Sequence, residues 1–186
     1  MNSSLNGAST DLTRVVIATG NAHKFREFEQ LLDGVFQLVS SSEHGVPSPD
    51  EDGLTFIENA LIKARHTAEA TGLPTLADDS GIVVPALDGA PGIYSARYAG
   101  VSSPYSEKMS ALIAELDSEL AAGSDLARAH ARAAYFCCVL VWLNHADDPL
   151  PIIAEGVWHG QLLDSPRGEG GFGYDPIFFL EDHGLS

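Results

Sequence analysis

Two acidic residues, Asp78 and Asp79, lie in the segment LADDSG, where an apolar strand is predicted to break into a turn. Adjacent like charges at the end of a strand cost free energy unless a cation or a proton relieves them. Mg²⁺ would relieve them if one carboxylate, or both, bound it together with phosphates and water. The other carboxylate could then orient or deprotonate a water molecule. The alternative is an Asx-turn capped by an aspartate, which involves no chemistry.

A second candidate is the polar segment TGNAHK, residues 19–24, which separates a short buried strand from a helix. A helix N-terminus presents unpaired N–H groups and a partial positive charge, so it favours anions. Thr19 and Asn21 can add side-chain donors, and Lys24 adds a mobile charge. The segment is not a Walker A loop, because the pattern G-x-x-x-x-G-K-[ST] is absent. The alternative is an N-capped helix with a solvated lysine.

Lysine is rare in this chain, so the position of each lysine is informative. Of the three lysines, Lys24 and Lys63 lie in segments that carry other signals of function. Lys63 follows Thr55 and Asn59 at intervals of four residues, which places all three side chains on one stripe of a predicted helix. The acidic segment PDEDG, with Glu51 at its centre, comes just before this helix. Such a cluster either binds a hard cation or solvates its loop.

The glycine-rich segment GGFGYDPIFF has the parts of a slot for a planar heterocycle. Its glycines allow close backbone approach, and Phe172 and Tyr174 offer flat faces. Asp175, beside the rigid Pro176, can accept hydrogen bonds from the N–H groups of such a ring. The alternative is a glycine-rich turn that leads into a strand. Together, these segments describe one site for a polyphosphate, Mg²⁺ and a base.

The elements that must position these residues alternate between helix and strand early in the chain and form hairpins later. This pattern favours a mixed sheet over a purely parallel one. The predicted elements are a strand at 15–18, a helix ending near Gly34, a strand at 35–40, a helix from the N-cap Thr55 to Gly72, strands at 74–77 and 82–87 joined by the turn DDSG, a helix at 105–120, hairpin strands at 132–143 and 152–163, and a strand after the glycine-rich loop.

Composition and charge exclude several classes of function. The formal net charge of −16 on 186 residues argues against sequence-independent binding to DNA, RNA or an anionic membrane. Adjacent Cys137 and Cys138 are expected to be small apolar strand residues, which suggests a reducing compartment. Residues 1–13 lack the features of a signal peptide and are predicted to be a disordered leader, and the longest apolar run is too short to cross a bilayer. We expect a cytoplasmic protein with one domain over residues 14–186.

Three segments closely resemble the inosine triphosphate pyrophosphatase family, the Ham1-like or RdgB-like house-cleaning enzymes. They are ATGNAHKFREF, GLTFIENALIKARHTAEATGLPTLADDSGIVVPALDGAPGIYSARYAG and GEGGFGYDPIFF, in the family's order. The resemblance implies an elongated two-lobed α/β fold around a long mixed β-sheet with flanking helices, and an active site in the cleft between the lobes. It also implies a homodimer that uses Mg²⁺ to hydrolyse the deaminated purine nucleoside triphosphates ITP, dITP and XTP to monophosphate and pyrophosphate.

The resemblance also implies a role for each matching residue. Glu51 and Asp79 would hold the metal, and Asp79 would accept a proton from the attacking water with assistance from Asp78. Lys63 would reach the phosphate chain and belong to the catalytic group, and Ser80 would contact the substrate. The residues that would cradle the phosphates are Thr19, Gly20, Asn21, Ala22, His23 and Lys24. Those that would line the base pocket are Phe172, Gly173, Tyr174 and Asp175.

The sequence departs from the family at its end. Family members continue beyond the DPIFF strand to a Ser-His-Arg motif, which helps to recognise the 6-oxo group of the base, and then to a final helix. This sequence ends at LEDHGLS and has no Ser-His-Arg triplet, so we expect that motif and helix to be missing. Two alternatives are a Maf-like nucleotide pyrophosphatase of different base preference and a truncated nucleotide-binding module with little turnover. The segment FGYDPIFF argues against the first, and the intact lysines and carboxylates argue against the second.

Overall fold

The computed structural model describes residues 12–168 and 170–180. Within these residues the chain forms six strands and four α-helices, joined in places by short 3₁₀ turns. In chain order the elements are β1 (Arg14–Ala18), α1 (Ala22–Leu31), β2 (Gln37–Ser40), α2 (Phe56–Thr71), β3 (Thr75–Val83), α3 (Tyr105–Ala122), α4 (Asp125–His130), β4 (Ala133–Leu143), β5 (Ile152–Leu162) and β6 (Phe178–Phe179).

All six strands form one mixed sheet in the order β2-β1-β3-β4-β5-β6. β1 is parallel to both β2 and β3, whereas β3 to β6 pair antiparallel in succession. Parallel strands need a crossover connection, which α1 and α2 supply, while the β4–β5 hairpin needs only a short loop. The prediction of a mixed α/β sheet with flanking helices is confirmed.

Helix α2 begins and ends where the sequence predicted. Thr55 Oγ1 accepts a hydrogen bond from the Glu58 backbone N–H at 3.2 Å, and Glu58 Oε2 accepts one from the Leu54 backbone N–H at 2.8 Å. Thr55 thus caps a backbone donor of the first turn, and Glu58 ties the residue before the N-cap to the helix, in a variant of the capping box. Gly72 ends the helix with a φ of 67°, in the left-handed region that glycine adopts without strain. These caps determine the position along α2 at which Lys63 reaches the sheet.

The main correction to the sequence analysis concerns the segment DDSG, predicted as a turn between two strands. Instead, β3 runs unbroken from Thr75 to Val83 and pairs with β4 along its whole length. The turn preference of aspartate, serine and glycine is local, and the cross-strand pairing with β4 overrides it. The alternative of an Asx-turn is therefore wrong, because both carboxylates project from a continuous strand.

The open edge of β3 begins where its pairing with β1 stops. β1 pairs with Thr75, Leu76 and Ala77 of β3, and the chain turns away after Ala18. At Asp78, Asp79 and Ser80, β3 keeps β4 on one side, while the side that β1 has left has no strand beside it; from Ile82 the segment that contains Pro91 and Ser95 covers that side. Because β1 leads directly into α1, the N-terminus of α1 lies at this opening. The topology therefore brings the β1–α1 turn beside the carboxylates.

Alternation along β3 sends neighbouring side chains to opposite faces of the sheet. Leu76 packs in a hydrophobic core with α1, and Ile82, on the same face, packs in a separate core with α3. Asp78 and Ser80 lie between these two cores. The opposite face, to which Asp79 projects, packs against α2. The cleft is therefore a polar gap between two apolar cores on one side of the sheet.

Smaller differences concern the ends of elements. Helix α1 ends at Leu31, one turn before the predicted end near Gly34, and the short helix α4 has no counterpart in the prediction. The hairpin strands match β4 and β5 to within one residue. The division into a leader at 1–13 and a domain at 14–186 stays a prediction, and residues 1–11 lie outside the described residues. Among the described helices, none is long and apolar enough to span a bilayer.

Candidate active site

A cavity of about 910 Å³ opens in the polar gap between the two cores and extends past the edge of β3 to Asp79, Lys63 and Glu51 on its other side. Three parts of the chain line it: the β1–α1 turn, the open edge of β3 with its neighbours, and the glycine-rich segment. The lining residues that the sequence predicted are Thr19, Gly20, Asn21, Lys24, Glu51, Lys63, Asp78, Asp79, Ser80, Phe172, Gly173, Tyr174 and Asp175. Of the predicted site residues, Ala22 and His23 are not among the described residues that line the cavity.

Lys24 lies across the cavity from β3 and contacts two side chains of that strand. Its Nζ lies 2.5 Å from Asp78 Oδ2 and donates a hydrogen bond to Ser80 Oγ at 2.7 Å. Asp78 is almost completely buried, whereas about a quarter of the Lys24 side chain is exposed, 24%. A buried carboxylate needs such a partner, because its charge is costly to remove from water. Lys24 therefore has a structural partner in the absence of a ligand.

Lys63 occupies the corresponding position on the opposite side of β3. Its Nζ lies 2.9 Å from Asp79 Oδ1 and 3.1 Å from Glu51 Oε1, so one ammonium group holds both predicted metal ligands. Asp78 and Asp79 are thus not two charges sharing one cation, as their adjacency in sequence suggested. Strand alternation separates them, and each carboxylate has its own lysine.

Burial shifts the acid–base properties of this second cluster. Burial raises the pKa of Asp79 above its ordinary value, and the opposing Lys63 charge reduces the shift without cancelling it. For Lys63, burial alone would lower the pKa, but the facing carboxylates of Asp79 and Glu51 outweigh burial and raise it. Lys63 is therefore a cation at neutral pH. Asp79 is a stronger proton acceptor than an exposed aspartate.

The predicted metal ligands Glu51 and Asp79 offer hard oxygen donors next to each other. Asp79 Oδ2 is buried and accepts no hydrogen bond from the described residues. Among those residues there is no group of three or more histidine, cysteine, aspartate or glutamate side chains that could hold a metal by themselves. Mg²⁺ typically binds one or two carboxylates and takes its other ligands from phosphates and water. The donor set therefore fits Mg²⁺ bound together with a polyphosphate.

The β1–α1 turn satisfies some of its own donors. Asn21 Oδ1 accepts hydrogen bonds from the backbone N–H groups of His23 and Lys24 at 2.9 and 3.4 Å, so Asn21 is the N-cap of α1. Thr19 Oγ1 accepts a hydrogen bond from the Asn21 backbone N–H at 3.2 Å. Asn21 thus uses its side-chain oxygen to shape the turn, and Lys24 contributes the positive charge of the predicted cradle.

His23 connects the turn to the glycine-rich segment. Its ring stacks on the ring of Phe172, with centroids 5.5 Å apart and an angle of 16° between the planes. This contact brings the predicted phosphate cradle and the predicted base pocket into direct contact, although His23 does not line the cavity. Phe172 is half-buried, so part of its ring remains accessible from the cleft.

Two further residues of the predicted base pocket, Tyr174 and Asp175, shape the loop. Tyr174 is 3% exposed, and its hydroxyl donates a hydrogen bond to the Ser95 carbonyl oxygen at 3.0 Å. Asp175 Oδ2 accepts a hydrogen bond from the Phe172 backbone N–H at 2.8 Å, and burial raises the pKa of Asp175 against the effect of this bond. Tyr174 therefore anchors the loop, and Phe172 is the more accessible of the two predicted aromatic faces.

Two basic residues near the site were not identified from the sequence. Arg97 contacts Glu51. Lys108 is 2% exposed, and its Nζ donates hydrogen bonds to the carbonyl oxygens of Ala96 and Gly100. For Arg97, the only available signal was a basic residue in the loop GAPGIYSARYAG of an acidic chain.

Cys137 and Cys138 behave as the sequence predicted. Burial raises the pKa of both thiols, which makes them poor nucleophiles.

Comparison with known proteins assigns the chain to a family. The model of the Ham1 family matches residues 15–186. A dITP/XTP pyrophosphatase of Halorhodospira halophila is 52% identical over 166 residues, covering 89% of this chain and 79% of that protein. One from Vibrio cholerae is 51% identical over 172 residues, covering 92% and 82%. The solved structure of a HAM1 protein from Coxiella burnetii has a TM-score of 0.84 at 40% identity, covering 94% of this chain and 85% of that chain.

The match extends over all three parts of the cleft, from the β1–α1 turn to the glycine-rich segment. The resemblance noted in the three sequence motifs is thereby confirmed, together with the mixed α/β architecture that it implied. This chain belongs to the Ham1 family.

Proposed function

We propose that this chain hydrolyses the deaminated purine nucleotides ITP, dITP and XTP to the nucleoside monophosphate and pyrophosphate, and so removes them from the nucleotide pool. The relatives at 52% and 51% identity are dITP/XTP pyrophosphatases. In this chain, the supporting observation is the pair of lysine–carboxylate contacts on the two sides of β3, in a cavity that extends to the glycine-rich segment. The Ham1 match over residues 15–186 favours this reaction over the Maf-like alternative.

The two lysines change partners when a triphosphate binds. Without a ligand, Lys24 contacts Asp78 and Lys63 contacts Asp79 and Glu51, so the cations are compensated inside an acidic protein. A triphosphate offers several charged oxygens, and charge-assisted hydrogen bonds to such oxygens are stronger than neutral ones. The lysines therefore turn from the carboxylates to the phosphates, which leaves Asp79 free to act on water.

Asp79 accepts the proton from the attacking water. Its raised pKa moves it toward the neutral range in which a general base is most effective, and its Oδ1 is released when Lys63 turns to the phosphates. The water oxygen bonds to the α phosphorus, the bond from that phosphorus to the α–β bridging oxygen breaks, and pyrophosphate leaves with the bonding electrons while Asp79 takes the proton. Asp78 assists by pairing with Lys24 until the triphosphate binds, which keeps the ammonium beside the cavity.

Mg²⁺ is the proposed cofactor, held by Glu51 and Asp79 together with phosphate oxygens. When bound, Mg²⁺ supplies positive charge that stabilises the phosphate oxygens of the transition state. The proposal rests on the adjacent carboxylates and on the free Asp79 Oδ2. Removing divalent ions with EDTA should abolish turnover, and adding back Mg²⁺ should restore it. Full activity in the presence of EDTA would contradict this assignment.

The base is expected to bind beside Phe172, where the cavity reaches the glycine-rich segment. The test is pyrophosphate release from ITP, dITP, XTP, GTP and ATP at equal concentrations. Preference for the first three supports the proposal. Equal rates for all five would mean that the residues of this chain do not select the base. Tight binding of ITP without release of pyrophosphate would instead support the alternative of a nucleotide-binding module.

A homodimer and a cytoplasmic location complete the proposal. Strand β5 exposes apolar side chains away from the cavity lining, notably Ile152 at 64% and Ile153 at 42%. Exposed apolar side chains that lie together are typical of interfaces. Light scattering coupled to size-exclusion chromatography would measure the mass, and a monomeric mass at micromolar concentration would contradict the dimer.

A further inference from the structure

Arg97 contacts Glu51 in two places, from outside the active-site cavity. Its Nη1 lies 3.6 Å from Glu51 Oε2, and its Nη2 donates a hydrogen bond to the Glu51 backbone carbonyl oxygen at 3.3 Å. Lys63 holds the other carboxylate oxygen, Oε1, from inside the cavity. Glu51 is therefore held from both sides, and Arg97 is the partner that does not line the cavity.

Glu51 needs such a partner because its segment has little structure of its own. Residues 46–53, all within the described part of the chain, form neither helix nor strand. The segment is attached to α2 at its end, where Asn59 Oδ1 accepts a hydrogen bond from the Gly53 backbone N–H at 2.9 Å. When Lys63 turns to the phosphates, as the proposed function requires, Arg97 is the cation that still holds the Glu51 carboxylate.

Arg97 itself lies on a segment that is attached firmly to β3. The Ser95 Oγ accepts a hydrogen bond from the Ile82 backbone N–H at 3.0 Å and donates one to the Gly92 carbonyl oxygen at 2.6 Å. Gly81 permits this contact, since a Cβ at that position would overlap the Gly92 oxygen and Ser95 Oγ. The backbone that carries Arg97 is thus packed directly against the strand that carries the catalytic carboxylates.

The far side of the same segment is anchored by a buried cation. Lys108 Nζ donates hydrogen bonds to the carbonyl oxygens of Ala96 and Gly100 at 2.5 and 2.8 Å, and these residues flank Arg97. The Arg97 guanidinium also lies over the Tyr94 ring, 4.9 Å from its centroid. Preorganised support of this kind reduces the freedom that the arginine loses when it pairs with Glu51.

We propose that Arg97 is a positioning residue that fixes the Glu51 carboxylate in the orientation needed to bind the divalent cation. This inference rests on the proposed function, because it concerns the same metal ligand. Groups that orient metal ligands typically change metal affinity by about 10- to 100-fold when they are removed. Arginine is required for geometric reasons, since its two nitrogens contact the carboxylate and the backbone carbonyl, and a lysine offers one nitrogen.

The test compares the full-length wild type with Arg97→Ala, Arg97→Lys and the control Arg128→Ala. Arg128 also pairs with a carboxylate, Asp125, but its side chain is 73% exposed and far from the cavity lining. For Arg97→Ala we expect the Mg²⁺ concentration for half-maximal dITP hydrolysis to rise about 10-fold or more, with kcat at saturating Mg²⁺ changed by less than about threefold. Arg97→Lys should show an intermediate shift, and Arg128→Ala none.

A second readout does not depend on turnover. Titration with Mn²⁺ in the presence of a non-hydrolysable dITP analogue, followed by electron paramagnetic resonance, should show weaker binding by Arg97→Ala than by wild type. In the Glu51→Gln background, Arg97→Ala should cause no further loss, because the residue it positions no longer carries the charge. If Arg97→Ala does not fold, as judged by thermal unfolding, Arg97→Lys carries the same comparison.

Two results would overturn the inference. One is unchanged Mg²⁺ dependence and Mn²⁺ affinity in Arg97→Ala. The other is an equal loss in the wild-type and Glu51→Gln backgrounds, which would show that Arg97 acts independently of Glu51. Failure of the proposed function would look different, because the wild type would then hydrolyse none of the deaminated nucleotides. The comparison of Mn²⁺ affinity between wild type and Arg97→Ala would still decide the role of Arg97.

Discussion

Lys24 has both a structural and a functional role, and a pair of substitutions can separate them. Its ammonium lies 2.5 Å from the buried carboxylate of Asp78 and should move to the triphosphate when substrate binds. Lys24→Ala therefore removes a phosphate ligand and also leaves a buried carboxylate without its cation. Adding Asp78→Asn removes the unpaired charge but does not restore the phosphate ligand. The double variant should therefore recover stability without recovering function.

The size of the stability effect follows from the exposure of the two side chains. Removing one partner of a fully buried ion pair costs about 3–5 kcal/mol. Here the Asp78 side chain is 4% exposed but the Lys24 side chain is 24% exposed, so water already screens the ammonium. We therefore expect Lys24→Ala to lower the free energy of unfolding by about 1–3 kcal/mol, and Lys24→Ala/Asp78→Asn to recover most of that loss.

The functional effect is of similar size in free energy but should not be recovered. A hydrogen bond to a charged group contributes about 1.5–3 kcal/mol, which corresponds to a loss of about 10- to 100-fold in kcat/KM for dITP. Stability is measured by urea unfolding, followed by the fluorescence of Trp142 and Trp158. Activity is measured by pyrophosphate release at saturating Mg²⁺. All four combinations of the two substitutions are compared, with Asp78→Asn alone as the reference for the second change.

Two outcomes would refute this reasoning. If Lys24→Ala unfolds at the same urea concentration as wild type, the contact with Asp78 contributes nothing to stability. If the double variant regains wild-type kcat/KM, Lys24 does not bind the phosphates, and its effect on activity comes from the unpaired carboxylate alone.

Three further predictions concern β3. Asp79→Asn should reduce turnover by about 100-fold or more without lowering the urea midpoint, and unchanged pyrophosphate release would exclude Asp79 as the base. Burial raises the pKa of Asp79 above 3.8, so the native state binds the carboxyl proton of Asp79 more tightly than the unfolded state does. The contribution of Asp79 to stability therefore falls as the pH rises from the unfolded-state pKa to the higher native-state pKa. The stability of Asp79→Asn relative to wild type, from urea unfolding, should therefore increase from pH 4 to pH 7, and a constant difference would contradict the shift. Gly81→Ala should lower the free energy of unfolding by about 2 kcal/mol or more, since its Cβ would overlap the Gly92 oxygen and Ser95 Oγ. The control Gly156→Ala, where a Cβ meets open space on β5, should change it by less than about 0.5 kcal/mol, and equal effects would show that the packing at Gly81 is unimportant.

The sequence predicted the parts of the fold that depend on local pattern. Helix α2 has the expected N-cap at Thr55 and ends at Gly72, because capping needs only residues within one turn of the helix end. The β4–β5 hairpin follows from two long apolar segments separated by a short loop. The residue types of the site could also be recognised from the sequence, because lysine is rare in this chain and two adjacent carboxylates are unusual at the predicted end of an apolar strand.

The segment DDSG shows where local pattern is insufficient. Its residues favour turns, yet Asp78 and Asp79 lie within an unbroken strand because β4 pairs with it throughout. Once the segment is a strand, alternation sends the two carboxylates to opposite faces. That decides which lysine meets which carboxylate, and no spacing in the sequence contains this information.

The sequence by itself thus determined the chemical inventory of this protein and the two ends of helix α2, because both depend on residue identity over short distances. The tertiary structure alone decided the pairings: Lys24 with Asp78, 54 residues apart, and Arg97 with Glu51, 46 residues apart. Those contacts depend on how the sheet is ordered and on where β1 leaves the edge of β3. Strand order is set by burial and pairing summed over the whole chain, so residues far apart in sequence acquire their partners only when the sheet is complete.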